Sequence, residues 1–595
     1  MGSGIFGLGT RAMQASQVTL DTIAHNISNV NTPGYSRQQV ELETEGGLFT
    51  GAGFFGRGVR VTTVSRTANE FLTRENNINV STAAADDTRL NKLVQLEKVL
   101  PTGESGLGYA ASQILNAFVD VANQPQDMSA RQVVLARAQE WVSRVRTAAQ
   151  QLDELERGTV ADLETSVDRI NMLTSQIATS NQAIAAFQGV GHAPNDLLDK
   201  RDNLVKELNQ LVQVSTVEAD DGSLSVFMGG GQVLVLSNKS ETLGVVRETQ
   251  PDGSSLARVA LLSNGTSRTL PQDQITGGAL KGLMQVQDED IALTRTALNT
   301  FVANFADKIN AQQALGMDAN GNLKSSFDAT TNQPTGNNPI FLSTAKANTI
   351  TLGLNAPAGL AAASPVVASI NPANKGTASI DSIRMERPLP QANALDFATS
   401  RPVDGKPLTV VFAQSGSTLT YSFLDENGAP YKAVAPARTW TPGTPINDAD
   451  PGSTPATALF SLNINGVPVA GDKITVAYTQ YPGSNNGNAQ AMLALRDQQI
   501  ITFGSGATAT TATVTDAYSQ MIGDLGVRVQ GGKTTASISA TLAKTSEQTL
   551  SSATGVNLDE EAAKLIQFQQ SYQAAAKVLQ IAQSLFDTLL QTARG

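Results

Sequence analysis

The chain has 595 residues, a formal net charge of −11, no cysteine and two histidines, His25 and His192. That inventory excludes disulfides, thiol nucleophiles and zinc-thiolate sites, and nearly excludes His-pair metal sites. Acidic charge without a basic tract argues against nucleic acid as a partner, and no run approaches the roughly 18 apolar residues of a membrane span.

One core cannot hold this length, so about three to five domains of roughly 100 to 200 residues are expected. The opening MGSGIFGLGTRAMQAS lacks a basic segment followed by an apolar core, so a soluble chain without an ordinary secretory signal is expected. Aromatics are only 5% of residues, against abundant Ala, Gln, Asn, Ser and Thr. This favours long helices with small-residue seams, a composition commoner in assembly proteins than in enzymes.

In chain order, residues 4–30 read as a helix. Phe6, Met13, Leu20 and Ile27 recur at sevens, and Gly9, Ser16, Ile23 and Val30 fill a second, mixed line. The helix runs into Asn-Thr-Pro-Gly (31–34). There Pro33 removes an N–H and pushes Thr32 out of the helical region, while Gly34 permits a positive φ. Asn26 and Asn29 share a face near the helix end, where their amides can bond nearby backbone or a neighbouring subunit; a plain helix stop is the simpler alternative.

Alternation and glycine clusters over 38–75 predict a strand-rich hairpin, followed by helices at 76–99 and 105–123. A long or kinked helix follows from Ser129 to Phe187, with Leu163, Ile170, Ile177 and Ile184 at heptad spacing and Gly158 as the one interruption. After a helix at 194–212, a small β unit is expected near 214–272, then helix from 277. From 331 to 484 the chain is rich in Thr, Ser, Ala, Pro and Gly, with hairpin signals at VVFAQSGSTLTYSF, DENGAP and SLNINGVPVAGDKITVAYT. Helix resumes near Asn488 and again over 515–550.

The last segment gives Leu558, Leu565, Tyr572, Leu579 and Phe586 at sevens, with Phe568, Ala575, Ala582 and Leu589 on the second line. Asn557 is the expected cap, and Asp559, Glu560 and Glu561 place negative charge at the positive end of the helix dipole. At about 1.5 Å per residue the two terminal helices are some 40 to 50 Å long.

No stretch assembles an enzyme site, and no cofactor or metal is expected. GGGQVLVL (229–236) lacks the Gly-Lys-Ser/Thr and the following helix of a phosphate loop, so it reads as a glycine turn. GMDANGN (316–322) lacks the distal Glu of a calcium loop and reads as an Asn-Gly turn. His25 has Ser16, Ser28 and Asp21 nearby on one helix, an arrangement that cannot set up a triad; a solvated or interface histidine is expected. The pairs Asp220 with Asp221 and Asp288 with Asp290 read as solvated turn and helix-surface carboxylates. The terminal seams could simply pack into one globular core, but their small Ala and Gln positions suit helix contacts in a larger assembly better.

Three stretches together, ISNVNTPGYSRQQVEL, GGALKGLMQVQDE with NAQQALGMDANGN, and GVNLDEEAAKLIQFQQSYQAAAKVLQIAQSLFDTLL, resemble the bacterial flagellar axial proteins. The first is shared with rod and hook proteins generally; the third points to the hook-associated junction type. DLLDKRDNL adds to the match, while the β insertion is covered only at its far edge.

The resemblance implies a multidomain α+β fold. Residues 1–75 and 550–595 would pair their terminal helices as a coiled coil in an inner tube; 76–330 with 485–549 would form a helical-bundle middle; 331–484 would project as a β-rich outer domain. It implies a structural, non-enzymatic role in joining hook to filament, secreted through the flagellar type III route. The implied partners are copies of the chain in a tubular ring, the hook protein, the second junction protein, and an export chaperone on the C-terminal helix. The assembly surface on the first helix would be Phe6, Met13, Leu20, Ile23, Ile27 and Val30, and on the last Leu558, Leu565, Phe568, Tyr572, Leu579, Phe586 and Leu589. The axial turn motif would be Asn26, Asn29, Asn31, Thr32, Pro33, Gly34 and Tyr35. Since neither seam has a full partner in one chain, both termini are expected to be poorly ordered in a lone monomer.

Two other classes stay open on the residues alone. A surface adhesin or phage-tail component would bind glycans through 331–484, and a secreted enzyme would need a site the sequence does not display.

Overall fold

The computed structural model describes residues 2–50, 53–188, 194–249, 255–263, 265–323, 339–387, 402–403, 405–431, 437–449, 458–504 and 509–594. His192 lies outside them, as does part of the β insertion, and the side chain of Leu589 is likewise not described. Helices α1 to α10 are Gly2–Ser28, Glu70–Glu97, Leu107–Asn123, Met128–Gln188, Asn195–Leu211, Gly278–Gln285, Ala292–Leu315, Gly487–Ala494, Val514–Thr554 and Leu558–Arg594. Among the described residues no helix is long and apolar enough to cross a membrane.

The chain divides into two compact units. The first comprises Met1–Gln95, Leu155–Ile291 and Arg528–Gly595; the second comprises Leu96–Glu154 and Ala292–Val527.

In the first unit, α1 and α10 lie against each other. The buried positions of α1 are Gly9, Ala15, Ser16, Thr19, Thr22, Ile23 and Asn26, so the mixed line faces inward. Met13, Leu20, Ile27 and Val30 are half-buried, and Phe6 is 37% exposed. On α10 the buried positions are Glu561, Ala575 and Ala582, flanked by half-buried Leu565, Phe568, Tyr572 and Leu579; Leu558 and Phe586 are exposed. The strictly apolar α1 line is therefore not the contact line. Small residues win because they let two helix backbones approach closely: a Cβ added to Gly9 would sit 3.0 Å from Cγ of Leu579. Thr19 and Thr22 satisfy their hydroxyls on the carbonyls of Ala15 and Val18, so their burial leaves no donor stranded.

Strands Gln38–Thr44 and Val59–Arg66 form the expected hairpin after α1. Leu163, Ile170 and Ile177 of α4 pack with Leu204, Val205 and Leu208 of α5, with Val226, Leu234, Val235 and Val259 of two small sheets, and with Leu280, Leu283 and Met284 of α6. Gly158 does not break α4, which is helical throughout. Gly230 and Gly231 take positive φ between the antiparallel strands Leu224–Met228 and Gln232–Leu236, so GGGQVLVL is a turn.

Asp290 differs from its expected place at a solvated surface. It is fully buried on a π-helical turn, Val286–Ile291, and pairs with Arg89 (Nε to Oδ2, 2.9 Å) and Arg528 (Nη1 to Oδ1, 3.4 Å). Asp288 is engaged too, 2.6 Å from Nη1 of Arg258. The extra residue in the π turn shifts the helical phase, so spacing counted at 3.6 residues misplaces these carboxylates.

In the second unit, Trp141, Phe305 and Phe341 form an aromatic core, with ring centroids 4.8 and 5.1 Å from Trp141. Its β part holds a five-stranded sheet, ordered Val366–Ile370, Lys473–Tyr478, Leu408–Ser415, Thr418–Leu424 and Arg438–Thr439, and a three-stranded one, ordered Ser379–Met385, Phe460–Asn465 and Ile446–Asn447. VVFAQSGSTLTYSF is the expected hairpin. SLNINGVPVAGDKITVAYT is not: Phe460–Asn465 and Lys473–Tyr478 belong to different sheets. The connection between them is too long for a tight turn, and Asp472 ties it elsewhere by accepting N–H groups of Lys375 and Gly376. GMDANGN is an Asx turn, with Asp318 Oδ1 accepting from the amides of Asn320 and Asn322.

Candidate functional site: the corner beneath the terminal helices

Where α1 ends, the chain makes the turn of residues 29–34. Thr32 N–H donates to the Asn29 carbonyl (2.9 Å), Tyr35 N–H to that of Thr32 (3.2 Å), and Gly34 has φ +74°. The two asparagines serve different ends. Asn29 does local work, donating Nδ2 to the carbonyl of His25 (3.0 Å) and accepting from Thr32 Oγ1 (3.2 Å). Asn26 is 1% exposed and reaches across the molecule.

The Asn26 amide uses all of its capacity. Nδ2 donates to the Gln38 carbonyl (2.9 Å) and to Oε2 of Glu561 (3.0 Å), while Oδ1 accepts from Gln38 N–H (3.0 Å) and the Tyr35 hydroxyl (2.8 Å). With its proton committed to Asn26, the Tyr35 oxygen accepts from His25 Nδ1, 3.0 Å away. The two rings meet edge on at 5.6 Å. Burial, then the charges of Asp199, Asp196 and Glu561, push the Tyr35 phenol up to about 12.

Glu561 comes from the other end of the chain. Asn557 caps α10 through Oδ1, which accepts from Asp559 N–H at 3.0 Å, and Glu561 follows within the first turn. Its Oε1 accepts from Nε of Arg37 (2.8 Å), and Nη1 of Arg37 lies 3.0 Å from Glu560. The Arg37 N–H also donates to the last residue of α9, Thr554 (2.9 Å). One amide and one guanidinium thus bind the exit of α1 to the start of α10, some 535 positions later.

The turn is seated on α5. Ser36 N–H donates to Asp199 Oδ2 (3.0 Å), Asn203 Nδ2 to the Pro33 carbonyl (3.3 Å), and Arg66 holds Asp199 and Asp202 at 3.0 and 2.6 Å. The positive φ is what favours glycine at Gly34; a Cβ there would also meet the end of the Asn203 side chain, which would have to swing aside and give up its bond to Pro33. Pro33, Asn31 and Thr32 are exposed on the turn.

Motif reading found the turn and missed what it binds: Arg37, Gln38, Asp199, Asn203 and Glu561. Glu561 carried a signal, since an acidic residue in a capped first turn was expected; its partners, hundreds of residues away, carried none. His25 and Asp21 are exposed, and His25 serves Tyr35.

Paired chain ends, stitched through a buried amide to a turn that docks on α5, define an axial type of structural protein. The family described as flagellar hook-associated protein FlgK helical domain matches residues 93–327, that of flagella basal body rod protein 8–35, and that of flagellar basal body rod FlgEFG protein C-terminal 547–592. Flagellar hook-associated protein 1 of Escherichia coli (strain K12) is 28% identical over 585 residues, covering 97% of each chain. That of Bacillus subtilis (strain 168) is 26% identical, over 99% of this chain and 98% of its own. The fold matches the structure of the flagellar hook junction protein FlgK from Burkholderia pseudomallei with TM-score 0.62 and 22% identity, over 80% of this chain and 99% of that one. Over nearly its full length the chain is similar to the flagellar hook-associated protein 1 proteins, and these matches support a structural role in the bacterial flagellum.

Proposed function

We propose that the chain polymerises with its own copies at the distal end of the hook and forms the junction between hook and filament, on which filament assembly depends. The observation that carries this reading is the Asn26–Glu561 bond, which ties the end of the first helix to the start of the last. A coupling element that transmits torque needs such a rigid corner, and needs no turnover.

On this reading residues 1–75 with 550–595 form the inner-tube part, and the hook protein, the second junction protein and further copies are the partners. Ile566, Val578, Ile581 and Leu585 on the outer side of α10 are exposed, each at least 39%. An export chaperone covers this face before passage through the type III channel, and neighbouring copies cover it afterwards outside the cell. Truncation before Leu558 tests the proposal. The shortened chain should stay soluble and folded in its second unit while failing to add to hooks; normal addition would overturn the reading.

A further inference from the structure

Five Asn-Gly pairs punctuate the chain, and none has a part in the corner described above. The pair at Asn264 lies outside the described residues. The other four, at Asn320, Asn427, Asn465 and Asn486, belong to the second unit. Asn-Gly is the pair at which a polypeptide most readily modifies itself, because glycine has no Cβ to keep its backbone nitrogen away from the asparagine carboxamide. Two things hold such a pair inert: a carboxamide that is tied down, and a backbone that cannot open.

Two of the four are tied directly. Asn486 Nδ2 donates to the Ala122 carbonyl (2.6 Å), and the N–H of Gly487 is committed to Asn485 Oδ1 (2.8 Å). Asn465 Nδ2 donates to Asp381 Oδ1 (3.2 Å) at the end of a paired strand, where a Cβ on Gly466 would lie 2.3 Å from the Thr377 carbonyl oxygen.

The remaining two are built alike. In Asp-Ala-Asn-Gly-Asn (318–322) and Asp-Glu-Asn-Gly-Ala (425–429) the aspartate Oδ1 accepts the N–H groups two and four residues on, at 2.9 and 2.8 Å in both. In both, the glycine N–H donates to the aspartate carbonyl, at 3.1 Å in the first loop and 3.0 Å in the second. Asn320 and Asn427 are both exposed, and neither carboxamide has a partner among the described residues.

The loops differ in their anchors. Asp318 is 5% exposed and its Oδ2 accepts from Asn322 Nδ2 (3.1 Å). Ala319 N–H reaches the Ala358 carbonyl (3.0 Å), and a Cβ on Gly321 would meet Pro482 at 2.9 Å. In the second loop every residue after Asp425 is exposed, and a Cβ on Gly428 would meet nothing within 4 Å.

We propose that Asn427 is a site of spontaneous deamidation, reached by brief opening of its exposed hairpin loop, and that the anchored twin at Asn320 is protected. The Gly428 nitrogen attacks Cγ of Asn427 and closes a cyclic imide as the Cγ–Nδ2 bond breaks; the glycine proton leaves with Nδ2 as ammonia. Water then adds to either imide carbonyl and gives aspartate or its β-linked isomer. One water is consumed and one ammonia released, with no oxidation. The product places a further negative charge beside Asp425 and Glu426.

The folded full-length protein is incubated at mildly alkaline pH, and conversion at each pair is followed by peptide mass spectrometry. Asn427 should convert about tenfold faster than Asn320, the factor expected from two extra anchoring hydrogen bonds, and faster than Asn465 and Asn486. In concentrated urea the four rates should converge to within about threefold, because the reacting pair is the same in each. Asn322→Ala removes one anchor and should speed Asn320 by about threefold or more while leaving Asn427 unchanged. Any of the other three matching Asn427 in the folded protein overturns the proposal. So does an unaltered spread of rates in urea, which would place the cause in the neighbouring sequence, or an Asn320 rate that Asn322→Ala leaves unchanged. If Asn322→Ala fails to fold, the comparison of folded with urea-unfolded chain decides.

Discussion

Asn26 holds four partners with one amide, so its loss strands several groups at once. Asn26→Ala leaves Glu561 Oε2, the Tyr35 hydroxyl and both backbone groups of Gln38 without their partner. At about 1–3 kcal/mol per buried unsatisfied group, the corner should loosen by roughly 2–4 kcal/mol after relaxation and water entry. Exchange of the Gln38 amide is the direct readout, and unchanged protection would refute the hub. Gly34→Ala meets two obstacles, positive φ and contact with Asn203. Adding Asn203→Ala should relieve only the second, so the double variant should recover part of the thermal stability lost by the single one. Tyr35 supplies a pH test. Its folded value, about 12, lies above the ordinary phenol value of about 10, so its contribution is complete below pH 10 and is lost as pH rises toward 12. In the ultraviolet difference spectrum against Tyr35→Phe, the missing phenol should titrate near 12; a midpoint at 10 would contradict the buried placement.

At the scale of elements, the heptads located both terminal helices and the Asn557 cap, because period and capping are local physics. Which face of α1 is buried was not legible. Apolarity favours Phe6, Met13, Leu20 and Ile27, while contact with α10 selects small residues that allow close approach, and this depends on the partner's Leu579. The phase shift at Asp290 was hidden for a similar reason: a π turn leaves no mark in the spacing until its pairing with Arg89 and Arg528 is seen. The outer face of α10 should behave unlike its inner face. Ile581→Ala with Leu585→Ala should change monomer stability by less than about 1 kcal/mol, since both are exposed, yet weaken polymerisation. Ala575→Leu should do the reverse and overpack the seam by roughly 1–3 kcal/mol. Urea unfolding followed on α1 and α10, set beside polymer yield, separates the two.

For the whole molecule, composition and pattern conveyed a helical frame with an inserted β region, and the family resemblance conveyed what such a frame is for. The long-range ties escaped because nothing local couples residue 26 to residue 561, or 199 to 36. The exchange of strands between two sheets in the β region escaped because its hairpin signal was local while its pairing was not. The central claim is that this chain couples hook to filament. Electron microscopy of hooks assembled with and without it tests that claim most directly. Hooks lacking the chain should end bare and carry filament only when it is restored; filament growing on hooks that lack it would contradict the account.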